Sequence, residues 1–223
     1  MFNRVINLIG EDNFNLIKNK KVLLIGVGGV GAAALETLVR SGFNNITVVD
    51  YDIIDESNLN RQLITNNTNI GNKKVEEAIK RALLINKDII INGIQLKLDD
   101  NNIKEILSNN YDYVIDACDT VSVKVDLIKH RNYFKYKLIT CCGTAKKIDP
   151  TKLEITTLDK TNNDPLAKVL RKKVKDLNIK SKVYVVSSTE LPINVETLAS
   201  MSMVPNTAGI LCVSYIINDI LKR

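Results

Sequence analysis

Apolar and polar positions follow two rhythms along the first two thirds of the chain. Short apolar runs bounded by lysine, glycine or acidic residues recur at 21–26, 46–50, 88–96, 111–116 and 137–141. Runs of that length and punctuation predict strands, and 21–26 (KVLLIG) is apolar throughout its middle, as in a strand covered on both faces. Helical spacing lies between them. Residues 30–41 carry Ala, Leu and Val at helical intervals and stop at Gly42, a residue suited to a left-handed cap. Residues 74–84 place apolar side chains at 75, 78, 79, 82 and 83, a one-sided stripe, and 122–134 predict a third helix. Strands separated by helices require crossovers, so the expected architecture is α/β: a mostly parallel sheet with helices on both faces.

The rhythm changes after Asp149-Pro150. Residues 153–158 and 182–186 predict strands flanking a lysine-rich helix at 165–177, 187–205 predict a long loop, and 206–221 a final amphipathic helix. The prediction is thus a sheet domain with a C-terminal extension of strands and a basic helix. With no repeat and no linker, 223 residues predict one domain, 1–223.

Charge is uneven. Residues 160–182 contain eight Lys/Arg and two acids, which accounts for the whole formal excess of +6. Such a patch is either a solvated helix face or a docking surface for a polyanion. The four cysteines (118, 141, 142, 212) form no C-x-x-C pair, so neither a zinc site nor a disulfide framework is expected. With no basic-then-apolar stretch after Met1 no secretory leader is expected, and the longest apolar run, 208–217, is shorter than a bilayer span needs. A reduced, cytoplasmic protein is expected, with no membrane contact.

The chemistry is concentrated at one sheet edge. Gly26-Val-Gly28-Gly29-Val-Gly31 joins a predicted strand to a predicted helix. Glycines there allow a tight turn and close approach of the backbone to phosphate, which meets the N–H groups at the helix start. The fold is therefore expected to be Rossmann-like. Asp50 lies 24 residues after Gly26, at the end of the next strand, where a carboxylate can accept from ribose hydroxyls. The motif alone points to NAD. Arg61 and Lys74 shift the expectation, because they add two positive charges on the same edge, and a triphosphate losing pyrophosphate needs that neutralisation more than a dinucleotide does. Asp116-Ala-Cys-Asp119 ends a further strand. Asp119 is placed to hold Mg²⁺ with the phosphates, and Asp116 is either part of that site or a local cap.

In combination, Gly26-x-Gly-Gly-x-Gly31, Asp50-x-Asp52, Asn58-x-Asn60-Arg61-Gln62, Gly71-x-x-Lys74 and Asp116-x-x-Asp119 resemble the adenylating ThiF/MoeB/HesA (ubiquitin-activating-enzyme-like) superfamily. The resemblance implies an ATP·Mg²⁺ site formed by Gly26, Gly28, Gly29, Gly31, Asp50, Asp52, Asn58, Asn60, Arg61, Gln62, Lys74, Asp116 and Asp119. Asp50 would hold the ribose, Arg61 and Lys74 the phosphates, and Asp119 the magnesium. It also implies a homodimer in which Arg4 is lent to the partner's ATP site. The nucleotide-binding half is then about 1–145.

The second half reads Ile148-Asp-Pro-Thr151, Asp164-Pro-Leu-Ala-x-x-Leu-Arg171, Ser187-Ser-Thr-Glu190 and Val204-Pro205. This resembles the tRNA threonylcarbamoyladenosine dehydratase family over nearly the whole chain. The resemblance implies an ATP-dependent cyclisation of the threonylcarbamoyl group beside the tRNA anticodon, through an acyl-adenylate. Residues 146–223 would face the tRNA, with Lys168, Arg171, Lys172, Lys173 and Lys175 on its phosphates. Sulfur-carrier or electron-donor proteins stay open as partners. The competing expectation is an enzyme that adenylates the Gly-Gly end of a small ubiquitin-like sulfur carrier. His130 and the cysteines are expected to be packing or surface residues, and Cys118 lies nearest the site.

Overall fold

The computed structural model describes residues 1–222 except Leu198. Two short helices, α1 (Asn3–Ile9) and α2 (Glu11–Lys18), precede β1 (Lys21–Ile25). Then come α3 (Gly29–Ser41), β2 (Asn45–Val49), α4 (Lys74–Ile85), β3 (Ile90–Ile94), α5 (Ile103–Leu107), β4 (Tyr113–Asp116), α6 (Val121–Phe134) and β5 (Lys137–Cys141). The rest comprises β6 (Leu153–Thr157), α7 (Pro165–Asp176), β7 (Tyr184–Ser188) and α8 (Met203–Ile220).

One seven-stranded sheet runs in the order β3-β2-β1-β4-β5-β7-β6. Its strand pairs are parallel except β6–β7, which is antiparallel. Helices cover both faces, and the β1 side chains show why. Val22 and Leu24 join a core with α2, α3, α4 and α8. Leu23 and Ile25 join a second core with α5, α6 and α7. Alternate residues of one apolar strand thus bury into opposite layers.

Some boundaries differ from those predicted. β7 lies two residues beyond the expected 182–186, because its register against β6 pairs Leu153 with Ser188. α8 starts three residues before 206, since Pro205 is tolerated in the first turn, where its missing N–H has no partner to lose. The strand expected over 88–96 is confined to Ile90–Ile94. The helices α1, α2 and α5 are short and were absent from the expected set; α2 is held by Phe14 and Ile17, both buried. Among the described residues no helix is long and apolar enough to cross a membrane.

Candidate active site

β1 is followed by β2 on one side and β4 on the other, so the chain reverses its direction of winding at β1. Loops leaving the C-terminal ends of β1 and β4 diverge there and open a crevice. A cleft of about 710 Å³ fills it. Gly26 turns the chain out of β1 at φ +86°, and its N–H is held by Val49 O at 2.8 Å. A Cβ on Gly31 would lie 1.8 Å from Gly26 O, so only glycine lets α3 seat against the turn. Gly31 therefore shapes the loop without lining the cleft, whereas Gly26, Gly28 and Gly29 line it. No side chain caps α3, so the N–H groups of its first turn have no helical partner and can meet an anion.

Asp50 is almost buried and lines the cleft. Its Oδ2 accepts from Val27 N–H at 2.6 Å and its Oδ1 from Asp52 N–H at 2.8 Å. It braces the glycine loop against β2 while each oxygen keeps a further lone pair. Lys74, whose side chain is 6% exposed, pairs with Asp52 at 2.9 Å across the cleft floor. Arg61 donates to Ser57 O at 2.6 Å and Asn60 Oδ1 at 2.8 Å. Among the described residues no carboxylate pairs with it, so its charge is available to a ligand. Asn58 closes the 3-10 turn before it by accepting from Asp55 N–H. Gln62 is buried at the cleft with Oε1 unpartnered. Asp119 is exposed at the opposite wall and has no cationic partner among the described residues. That carboxylate fits a divalent cation; Asp52 shares the cleft but is already paired with Lys74.

Asp116 departs from the expected site. It is fully buried and does not line the cleft. Lys124, also fully buried, donates to both its oxygens at 3.1 Å and to Cys141 O at 2.9 Å. Burial acts most strongly on the Lys124 ammonium and disfavours it, but the Asp116 carboxylate together with the neighbouring Cys118, Cys141 and Cys142 leaves the lysine above its usual range. The pair anchors the loop that carries Asp119. Lys124 shares a helical stripe with Leu127 and Ile128, which is the sequence signal that it points inward. Cys118 does line the cleft, and its Sγ donates to Asp116 Oδ1 at 3.1 Å. Burial, then Asp116, pushes this thiol well up, so it is protonated at neutral pH and a poor nucleophile.

Thr144 and Ala145, in the loop after β5, and Ala199, Ser200 and Pro205, from the second half, complete the cleft. Pro205 belongs to the Val204-Pro205 stretch, whereas Thr144, Ala145, Ala199 and Ser200 fall in no sequence motif, because they arrive by loop packing. Asn60 ties the halves together by donating to Ser200 O at 2.9 Å. Tyr51 and Lys97 form one rim, with the ammonium 5.5 Å from the ring centroid. Arg4 is exposed on α1 and lies outside the cleft of its own chain.

On α7, Lys168, Lys172, Lys173 and Lys175 are exposed. Arg171 is different. Its guanidinium donates to Thr161 O at 2.7 Å and also to Thr161 Oγ1, fastening α7 to the preceding turn. It is a structural clamp in addition to any contact with a ligand. Cys141 and Cys142 are buried. His130 packs edge-on to Phe134 at 6.1 Å, and burial together with Lys129 and Lys104 lowers its pKa.

Residues 2–152 match the ThiF family. The chain is similar over 99% of its length, at 33% identity, to the tRNA threonylcarbamoyladenosine dehydratase of Bacillus subtilis, and covers 94% of that relative. Its similarity to the molybdopterin-synthase adenylyltransferase of Haemophilus influenzae, at 34% identity, reaches 66% of this chain and 60% of that one. Its fold matches the Escherichia coli tRNA N6-threonylcarbamoyladenosine dehydratase, TcdA, solved in complex with AMP, with a TM-score of 0.94, 33% identity, and 99% and 94% of the two chains covered. TcdA has also been solved in complex with ATP. The similarity thus runs through both halves of the chain, which belongs to the ThiF family and, within it, to the tRNA threonylcarbamoyladenosine dehydratases.

Proposed function

We propose that this protein uses ATP to dehydrate the threonylcarbamoyladenosine next to the tRNA anticodon, closing its side chain into a ring. The observation that carries this reading is one cleft that joins a glycine loop, Arg61, Lys74 and Asp119 to Thr144 and Ala145 after β5 and to Ala199, Ser200 and Pro205 of the second half.

A carboxylate is a poor electrophile. In the first step an oxygen of the substrate carboxylate attacks the α-phosphorus of ATP, and pyrophosphate leaves. The α3 N-terminus and Arg61 face the phosphate negative charge, and Lys74 can exchange Asp52 for a phosphate oxygen. Asp50 accepts from the ribose. Asp119 would hold Mg²⁺, which supplies neutralisation of the leaving pyrophosphate. In the second step the carbamoyl group attacks the activated carbonyl of the same side chain and AMP departs. That step is intramolecular, so positioning provides most of its acceleration, and no protein nucleophile is required. The protonated Cys118 is consistent with that.

The exposed lysines of α7 would meet tRNA phosphates, which position RNA without reading sequence. A homodimer would bring Arg4 to the partner's cleft. The setting would be the cytoplasm. Pyrophosphate exchange into ATP tests the substrate class. Exchange should depend on tRNA bearing threonylcarbamoyladenosine. Exchange that instead depends on a small ubiquitin-like protein ending in Gly-Gly would replace this reading with the sulfur-carrier one.

A further inference from the structure

Two buried lysines grip the C-terminal end of β5. Lys124 does so from the nucleotide side, through Cys141 O. Lys147 does so from the other side and has no part in the chemistry above. Its side chain is 1% exposed, and its Nζ donates to Gly143 O at 2.9 Å. Its ionic partner is Asp164, whose side chain is fully buried, at 3.5 Å. Asp164 Oδ2 accepts from Gly143 N–H at 2.9 Å, while its Oδ1 accepts from Ala167 N–H at 2.9 Å and caps α7. Both backbone polar groups of Gly143 are therefore held by one ion pair, and that pair also fixes the start of the basic helix. The next two residues, Thr144 and Ala145, are cleft wall. Lys146 extends the same link, with its N–H on Ala199 O at 2.8 Å and its Nζ on Val195 O at 2.6 Å; Ala199 is also cleft wall.

A buried ion pair is an expensive way to join two segments. Apolar residues of similar volume often hold them equally well, so its use here calls for a geometric reason. What this pair sets is the position of the Gly143–Ala145 wall relative to α7, 21 residues on. We infer that Lys147 and Asp164 are positioning residues for the reaction: they hold the acyl end of the cleft in register with the RNA-facing helix, so that a nucleoside delivered by α7 reaches the bound nucleotide in a reactive geometry. The inference rests on the tRNA reading above. Displacement of a reacting group by about 1 Å can cost a hundredfold, so loss of the pair acts on turnover. The nucleotide end, formed by β1, β2 and the β4 loop, is untouched.

The test compares wild type with Asp164→Asn and with Lys147→Met/Asp164→Asn. Asn keeps a helix cap but cannot hold Gly143 N–H as well. Calorimetric titration with ATP counts folded sites and gives the affinity. Steady-state cyclisation of modified tRNA gives kcat and KM. For D164N the expected result is one ATP per chain with affinity within about twofold of wild type, and kcat lowered about ten- to a hundredfold. The double variant no longer buries an unpaired charge, so its Tm should return toward wild type while kcat stays low. A kcat within twofold of wild type, a kcat that recovers with Tm, or ATP affinity falling in step with kcat would each overturn the inference and leave the tRNA reading standing. Wild-type protein inactive on modified tRNA would overturn both.

Discussion

Lys124 and Asp116 are charged, fully buried and mutually satisfied, and that combination makes them sensitive to single changes. Lys124→Met leaves the Asp116 carboxylate in the interior without its counter-ion. The expected cost is about 3–5 kcal/mol, read as a lowered urea midpoint with unchanged slope. A midpoint within error of wild type would show that the carboxylate is not buried with this partner. The residue scale is also where the sequence was most and least informative. Gly26, Gly28, Gly29, Asp50, Arg61, Lys74 and Asp119 were legible because phosphate and ribose chemistry demands those types at those intervals, and all line the cleft. The place of Asp116 stayed open in the sequence, because a strand-end carboxylate looks the same whether it faces ligand or, as here, a buried lysine. The helical stripe points Lys124 inward, but only the fold sets it against Asp116.

At the scale of elements, α7 and α8 invite separate experiments. Among the described residues the exposed lysines of α7 form no ion pair, whereas Arg171 donates to Thr161. Lys168, Lys172 and Lys173 changed together to Glu should weaken tRNA binding. The slope of log affinity against log salt should shrink by roughly 0.7–0.9 for each phosphate that is no longer neutralised, with ATP affinity and Tm unchanged. Arg171→Glu should instead lower Tm as well, because it releases α7 from the turn at Thr161. Unaltered salt dependence in the lysine variant would make α7 a solvated face.

α8 is tied to the sheet at its far end. Asp219 accepts from Tyr113 Oη at 2.5 Å and from Lys137 Nζ at 2.7 Å. Burial pushes the Asp219 carboxyl up, but the Lys137 and Tyr113 hydrogen bonds outweigh it and the net direction is down. A depressed carboxyl contributes stability above its unfolded pKa, about 3.9, and loses it as pH falls through the lower folded value. Asp219→Asn should therefore lower Tm at pH 7, and the gap should close below about pH 4. A gap that persists in acid would contradict the assignment. The periodic elements were read correctly because hydrophobic rhythm sets them. The short α1, α2 and α5 carry too few turns to show a stripe, and register against β6, which no local pattern encodes, set the bounds of β7.

For the whole molecule, the question is how two halves with different composition make one reaction site. The sheet is continuous from β3 to β6, and the cleft takes residues from both halves. The nucleotide end could be read from motifs. The remaining wall could not, because Thr144, Ala145, Ala199 and Ser200 are ordinary residues gathered by loops. Arg4 lies outside its own cleft, so its proposed role requires a second copy. Arg4→Ala and Asp119→Ala should each be inactive alone. Mixed and allowed to exchange subunits, they should regain about a quarter of wild-type activity, since half the dimers are mixed and each has one intact site. No recovery despite verified exchange would remove Arg4 from the mechanism.

The central claim is that ATP drives loss of water from a modified nucleoside in tRNA. Mass spectrometry of nucleosides from tRNA bearing threonylcarbamoyladenosine, incubated with the protein and ATP, reads it directly. The account predicts conversion of that nucleoside to a product lighter by one water, with AMP and pyrophosphate released in equal amounts and no conversion without ATP. An unchanged nucleoside, with active protein and ATP present, would contradict it.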